Sequence, residues 1–419
     1  MTRDAVVLGA GPAGCAAASA LARRGRSVLL LDRDPRPRFK IGESLLPWNR
    51  PIFEELGLLP RIEAAGFQKK YGACFTNERT GGVRQVDFRK AWDDSRPSAW
   101  QVKRTDFDGL LAAHAAESGA EVRRGVTAQE VTFEDGRATG VRVLGPAGPE
   151  EIPAKVVVDA TGQAALLATR LGIRRQDTKL RKAALYAHYT GVWRAEGERG
   201  GDVLLPFLPD VWYWVIPFSD SSASVGAVFA PSVLGTLSSR TNLERLQELL
   251  ARSSKMREYL VGATRTSEVG SVSDYSFTST RYGGDGWVLV GDAATFLDPV
   301  FSTGVFLGMS SGLRAAKAID AALSAKGRVD ATDFDAYRRV TERMVARFRP
   351  FVYGYYDPVF TRMFCEEAPL DALRAAVTST LAGDVESPPL AVRFFNRLTL
   401  ILFAISRRIE KGDGGAATA

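Results

Sequence analysis

The sequence predicts an α/β fold, and three observations predict it. A strand, a glycine turn, a helix and a second strand follow one another within the first forty residues. Apolar runs ending in acidic or small turn residues recur near 159 and 290, as buried strands of a parallel sheet do. Between them the pattern alternates with period two, and from 331 it becomes helical. Together these describe a Rossmann-like domain with an inserted antiparallel-sheet domain and a helical C-terminal region.

The first unit is Asp4–Leu8, then Gly9-Ala10-Gly11-Pro12-Ala13-Gly14, an alanine-rich segment to Arg24, and Val28–Leu31 ending at Asp32 and Arg33. Gly9 permits the tight turn, Gly11 lets backbone approach a pyrophosphate, and Gly14 lets helix and strand pack closely. The helix N-terminus after the turn offers unpaired N–H groups to phosphate. Asp32 lies eighteen residues beyond Gly14, at the distance where an acid accepts from ribose hydroxyls. This context makes the motif a dinucleotide site.

Composition excludes several classes. Hydrophobic residues are 45% and charged residues 25% of 419, a globular mix. Mean hydropathy is −0.08, and no apolar stretch reaches the ~20 residues of a membrane span. Three dispersed cysteines, Cys15, Cys74 and Cys365, offer no disulfide framework, so a cytoplasmic location is expected. With only two histidines, no metal site is assigned. The 55 basic residues are spread along the chain, net charge is +7, and no nucleic-acid partner is expected.

Further segments carry a family resemblance. Trp287–Val290 runs into Gly291-Asp292-Ala293-Ala294, Val156–Val158 into Asp159-Ala160-Thr161-Gly162, and Gln101–Asp108 contains Arg104. In this order they resemble the FAD-dependent aromatic monooxygenases. That resemblance implies an FAD domain of the aromatic-hydroxylase type. It gives Gly9, Gly11, Ala13, Gly14, Asp32, Arg33, Ser44, Arg104, Asp159, Gly291, Asp292, Pro299 and Gly304 to the cofactor. Trp212-Tyr213-Trp214-Val215-Ile216-Pro217, the run Phe296–Gly304, Lys69-Lys70-Tyr71-Gly72 and Lys40–Leu45 resemble the flavin-dependent halogenases, nearer the pyrrole and phenol type than the tryptophan type.

The resemblance implies an FADH2-dependent enzyme that uses O2 and chloride or bromide to halogenate an electron-rich aromatic. Trp212, Trp214, Ile216 and Pro217 would form a wall between flavin and substrate; a strand of core tryptophans is the alternative. Thr303 and Gly304 would bind halide, and an ordinary Ser/Thr-capped helix entry satisfies the same residues. Lys70 would be catalytic, relaying oxidised halogen; a solvated lysine pair is the alternative. A hydroxylase or dehydrogenase on the same fold is the competing activity. No second nucleotide motif is present, which implies a separate flavin reductase as partner. The small aromatic substrate is expected free or on an acyl or peptidyl carrier protein. The oligomer is expected to be a monomer or homodimer.

The expected division is a discontinuous FAD domain (1–70, 101–170, 270–330), a substrate domain (71–100, 171–269) and the helical region 331–419. His188 either lines the substrate pocket or is a satisfied core histidine. Arg338, Arg339, Arg343 and Arg347 recur at helical spacing and predict an exposed basic face able to steer an acidic carrier. The final helix, near 390–408, is expected to pack on the body, with a membrane or partner surface as the alternative.

Overall fold

The computed structural model describes residues 2–365 and 370–416, with side chains described to Glu410. Its central sheet is parallel, in the order Trp287–Leu289, Gly148–Asp159, Arg3–Leu8, Val28–Asp32, Glu121–Arg124. These strands are short and valine- or leucine-rich because both faces are covered; Ala5 to Leu8 and Val28 to Leu31 are all buried. Leu8 pairs with both Leu31 and Asp159, and Asp159 pairs with Leu289. The carboxyl ends of four strands therefore finish level, which is where an open α/β sheet forms its crevice. Strand Gly148–Asp159 serves twice. Its first half pairs antiparallel with Arg137–Gly145, its second half parallel within the central sheet.

The second sheet runs Thr264–Arg265, Ala183–Thr190, Ser222–Phe229, Val211–Pro217, Val203–Phe207, Gly72–Asn77, Val83–Asp87. All pairs are antiparallel except Val203–Phe207 with Gly72–Asn77, which is parallel. The exception arises because Gly72–Asn77 reaches the sheet from a distant part of the chain. Strand Gly270–Ser273 also pairs with Ala183–Thr190, and Gln68–Lys70 pairs with Ala99–Gln101.

Strand Val211–Pro217 is buried throughout and alternates between two cores. Tyr213 and Val215 pack with Leu246 and Leu249 of helix Asn242–Arg252, where the Tyr213 hydroxyl donates to the Leu249 carbonyl at 2.8 Å. Trp212, Trp214 and Ile216 point the other way, into the core shared with the central sheet. The C-terminal region is helical, through Asp335–Tyr355, Pro358–Cys365, Asp371–Ala382 and Leu390–Ala416. Among the described residues no helix is long and apolar enough to cross a membrane.

The expected free basic face on Asp335–Tyr355 is only half present. Arg338 pairs with Glu342. Arg347 is half-buried and donates to the carbonyls of Val385 and Glu386, so it ties the C-terminal segment to this helix instead of facing solvent.

Candidate active site

A cavity of about 760 Å³ opens at the carboxyl edge of the parallel sheet and extends to the second sheet. At the sheet end it is lined by Gly9, Gly11, Ala13, Asp32, Arg33, Arg104, Gly291 and Asp292. Gly9 has φ +105°, and a Cβ there would lie 2.4 Å from the Ala160 carbonyl oxygen. A Cβ at Gly11 would meet no protein atom within 4 Å; it would project into the cavity. Gly14 does not line the cavity. A Cβ there would lie 1.9 Å from the Gly9 carbonyl oxygen, so its role is close packing of helix Pro12–Ala22. Gly11 thus keeps clear a space that the fold does not itself fill, at an uncapped helix N-terminus. That is the cradle a pyrophosphate requires, and the residues present fit FAD.

Asp32 accepts the Ala10 amide at 2.9 Å and the Asp34 amide at 2.8 Å, and both its oxygens retain a lone pair for a ribose hydroxyl. Arg104 is gripped by Asp108 through two bonds, 2.7 and 2.8 Å, and donates to the Ile41 carbonyl at 2.7 Å. It fixes the loop 39–45 that forms one side of the cavity. Burial raises the Asp292 carboxyl to about 6, and Arg104 opposes that rise. Asp159, expected beside the cofactor, stands differently from the other residues of that set. It is fully buried outside the cavity, and its carboxylate accepts from the Thr161 amide (2.9 Å), the Thr161 hydroxyl (2.6 Å) and the Leu167 amide (2.7 Å). It shapes the turn whose residues Ala160, Thr161 and Gly162 line the cavity.

The far end is lined by Trp212, Trp214, Ile216 and Tyr186. Pro217 continues the strand but is not part of the lining. Trp214 lies over Gly226 on the neighbouring strand, where a Cβ would come within 2.3 Å of the indole, and its Nε1 donates to Ser224 Oγ at 3.1 Å. Trp212 and Trp214 sit 5.9 Å apart between ring centroids. Trp212 Nε1 donates to the Tyr356 hydroxyl at 2.9 Å, and that hydroxyl donates to Asp298 Oδ2 at 2.8 Å. Asp298 Oδ1 accepts the Val300 amide at 3.0 Å. Burial raises Asp298 to about 6. The wall is thereby bonded to the loop that carries the expected halide residues.

That loop ends at Ser302, whose φ of +59° turns the chain into helix Thr303–Lys326 without a side-chain cap. The Ser/Thr-cap alternative is therefore not realised. Ser302 and Gly304 line the cavity beside Pro299 and Phe296, and a Cβ on Gly304 would sit 3.3 Å from the Phe296 ring. Thr303 is buried, with 2% exposure, outside the lining. The first N–H groups of a long helix remain available to an anion.

Lys70 is not solvated; it is 2% exposed. Its Nζ donates to Ser44 Oγ at 2.8 Å and to the Leu45 carbonyl at 3.1 Å, and lies 5.3 Å from the Phe88 ring centroid. Burial pushes its amine down to about 7, against the opposing charge of Asp202. Lys70 does not line the cavity, but Ser44 does, so one hydroxyl separates the amine from the cavity. His188 bonds Glu43 at 2.9 Å and packs against the Phe39 ring, and is not in the lining: it is a satisfied histidine that pins the loop bearing Ser44.

Residues missed from the sequence are Gln163 and Tyr275 in the lining and Asp202 behind it; Glu43 and Asp298 lie inside the runs Lys40–Leu45 and Phe296–Gly304 without a role assigned, Tyr186 lies on a strand expected in the substrate domain, and Tyr356 belongs to an aromatic-rich stretch, 351–364, that reads either as a cap on the substrate cavity or as core.

The fold and cavity define a class. Residues 2–348 match the FAD binding domain family, and the chain belongs to it. Within that class it is a member of the flavin-dependent halogenases. It is 31% identical over 414 residues to the 1H-pyrrole-2-carbonyl peptidyl-carrier-protein chlorinase of Pseudomonas fluorescens, covering 92% of this chain and 90% of that protein. It is 33% identical over 339 residues to the corresponding brominase of Pseudoalteromonas luteoviolacea, covering 80% and 81%. Among solved structures, a flavoprotein/dehydrogenase from Cytophaga hutchinsonii superposes with a TM-score of 0.89 at 30% identity, covering 99% of this chain and all of that one. The protein is an oxidoreductase with FAD as cofactor and halide and O2 as co-substrates.

Proposed function

We propose that this enzyme halogenates an electron-rich aromatic, a pyrrole or phenol carried on an acyl or peptidyl carrier protein, with Lys70 as the catalytic amine. The observation that carries the reading is the position of Lys70: buried, half neutral near pH 7, and bonded to a serine of the cavity that fits FAD. Bound and reduced, FAD would give two electrons to O2, taking it to the peroxide level at which it can oxidise halide with release of water. Gly9, Gly11, Ala13, Asp32, Arg33 and Arg104 hold its nucleotide, and Gly291, Asp292, Pro299 and Ser44 hold its flavin end. Thr303 and Gly304 would present their amides to the halide, while the Ser302 amide is held by the Pro299 carbonyl at 3.0 Å. Trp212, Trp214 and Ile216 keep the organic substrate from the flavin. The neutral Lys70 amine then holds the oxidised halogen, as a chloramine or by hydrogen bond, and delivers it to a ring carbon that loses a proton.

The carrier-borne substrate is supported by relatives named for such substrates, both covered over four-fifths or more of their length. The reading includes a separate flavin reductase, a cytoplasmic location and a monomer or homodimer. It keeps the three-part domain division, with 270–273 moved to the substrate sheet it pairs with. Mass spectrometry of product from reductase-supplied enzyme tests it, with chloride against bromide and the aromatic acid free against carrier-loaded. Halide-dependent mass shifts on the loaded acid are expected; oxygenated or dehydrogenated product regardless of halide overturns it.

A further inference from the structure

The C-terminal helix has one packed face and one open face. On the packed side Val392 is buried, Phe395 lies 5.8 Å from Trp92 between ring centroids, and Asn396 donates to Thr380 Oγ1 at 2.7 Å. The open side presents Leu390, Phe394, Ile401 and Ile405, exposed by 77%, 62%, 48% and 48%. Their positions, with Arg397 and Arg408, run i, i+4, i+7, i+11, i+15, i+18 along a single helical face. Arg393 lies beside it. Arg407 pairs with Asp357 and Glu410 with Arg362, but among the described residues Arg393, Arg397 and Arg408 have no carboxylate partner. An apolar stripe of this size with unpaired cations is the profile of a binding surface.

We propose that this face docks the carrier protein that brings the aromatic substrate, an acidic partner with an apolar patch; this rests on the carrier-borne reading above. Charge decides between occupants. A second copy in a two-fold contact would set arginine against arginine. A bilayer favours an unbroken apolar face with cations at its margin, whereas Arg397 and Arg408 interrupt this stripe. An acidic protein surface satisfies both the cations and the stripe. Location points the same way. Trp92, under Phe395, follows the short turn Phe88–Lys90, and Phe88 packs against the Lys70 amine. The packed side of this helix thus rests on the segment, residues 88–92, that also packs against Lys70.

The test uses FAD-loaded full-length enzyme, a flavin reductase, and one aromatic acyl group offered on an acidic peptidyl carrier protein or on pantetheine alone. In the triple variant Arg393→Glu/Arg397→Glu/Arg408→Glu, KM for the carrier-loaded substrate should rise roughly tenfold or more, with kcat unchanged and with loss of the wild-type salt dependence. The pantetheine thioester should turn over as in wild type. Phe394→Asp should raise the carrier KM while keeping the salt dependence. A wild type that prefers the loaded carrier, with both variants unchanged, overturns the docking face alone. A wild type indifferent to the carrier overturns the carrier-borne reading and the docking face with it. Conversion of a dimer to a monomer by the triple variant, with carrier KM unchanged, assigns the face to a second copy. Loss of binding to phosphatidylserine vesicles, again with carrier KM unchanged, assigns it to a membrane surface.

Discussion

At its nucleotide end the cavity is made of backbone; at its wall end it is made of side chains held from other parts of the chain. Gly9, Gly11 and Gly14 act through what they lack, and six consecutive residues suffice to place them. Trp212, Tyr356 and Asp298 act through a hydrogen-bonded series whose members are 144 and 58 residues apart. Lys70 reaches its serine across 26 residues. The first end is local and general to dinucleotide binding. The second is non-local, and it is where one activity on this fold is distinguished from another.

If the two ends do separate jobs, Lys70→Ala should give the largest effect and confine it to one end. Product is expected to fall by about 10³-fold, in the range of a lost acid–base or relay group. FAD content and O2 consumption with reduced flavin should stay as in wild type. Halogenation by the wild type should also rise with pH with a midpoint near 7 if, as proposed, the neutral amine is the acceptor. Wild-type-like product from the alanine variant would dissolve the distinction. Gly11→Val attacks the other end. FAD affinity should drop by about 10²-fold or more, seen as colourless protein, while the melting temperature of the apo form is unchanged because that Cβ meets no protein atom. Gly14→Val should instead fail to fold, its Cβ lying against the Gly9 carbonyl.

Tyr356→Phe probes the connection between wall and halide loop. The variant loses two hydrogen bonds, to Trp212 and to Asp298, each worth about 1 kcal/mol net, so halogenated product per FADH2 consumed should fall roughly fivefold to thirtyfold, with peroxide rising in compensation. FAD content should not change. Unchanged coupling would reduce the Trp212–Tyr356–Asp298 series to packing. The smallest effect is on stability. Lys70 titrates near 7 when folded and near 10.5 when unfolded, so below pH 7 the wild type carries the full cost of a buried charge. Between 7 and 10.5 the unfolded chain binds more protons, and stability rises with pH. Lys70→Met should therefore melt a few degrees higher at pH 7, with most of the gain gone by pH 10. A constant difference across that range would contradict a buried, shifted amine.

The same contrast governs what the sequence reveals. Gly9 and Gly11 of the glycine turn, Asp32, Gly291 and Asp292 are legible because each sits at a strand end marked by its neighbours, and all five line the cavity. Asp159 has the same signature, yet its carboxylate is engaged by Thr161 and Leu167; a strand-end acid can serve its own turn as well as a ligand. The alternation of Trp212, Trp214 and Ile216 is visible, but the glycine opposite Trp214 becomes its partner only once the sheet is formed, and the tyrosine bonded to Trp212 only once the helix Asp335–Tyr355 packs against that sheet. Lys69 and Lys70 are indistinguishable by composition. Register separates them: Lys70 is 2% exposed, while Lys69 is half-buried and lies over the Trp100 ring. Arg347 shows the limit in reverse, since helical spacing says nothing about the carbonyls that a later loop will bring to it.

The central sheet has a consequence for how the chain is made. Strand Arg3–Leu8 leaves the ribosome early, but its neighbour Gly148–Asp159 is completed on the other side only by Trp287–Leu289. The whole second sheet, apart from its earlier strands Gly72–Asn77 and Val83–Asp87, is synthesised in that interval. Contacts so distant in sequence form slowly and expose apolar strands while they wait. The glycine turn can exist on a nascent chain, but the floor of the cavity, with Gly291 and Asp292, cannot. Cofactor capture is thus a late event in synthesis, and a chain arrested before residue 287 should emerge without flavin however intact its first forty residues are.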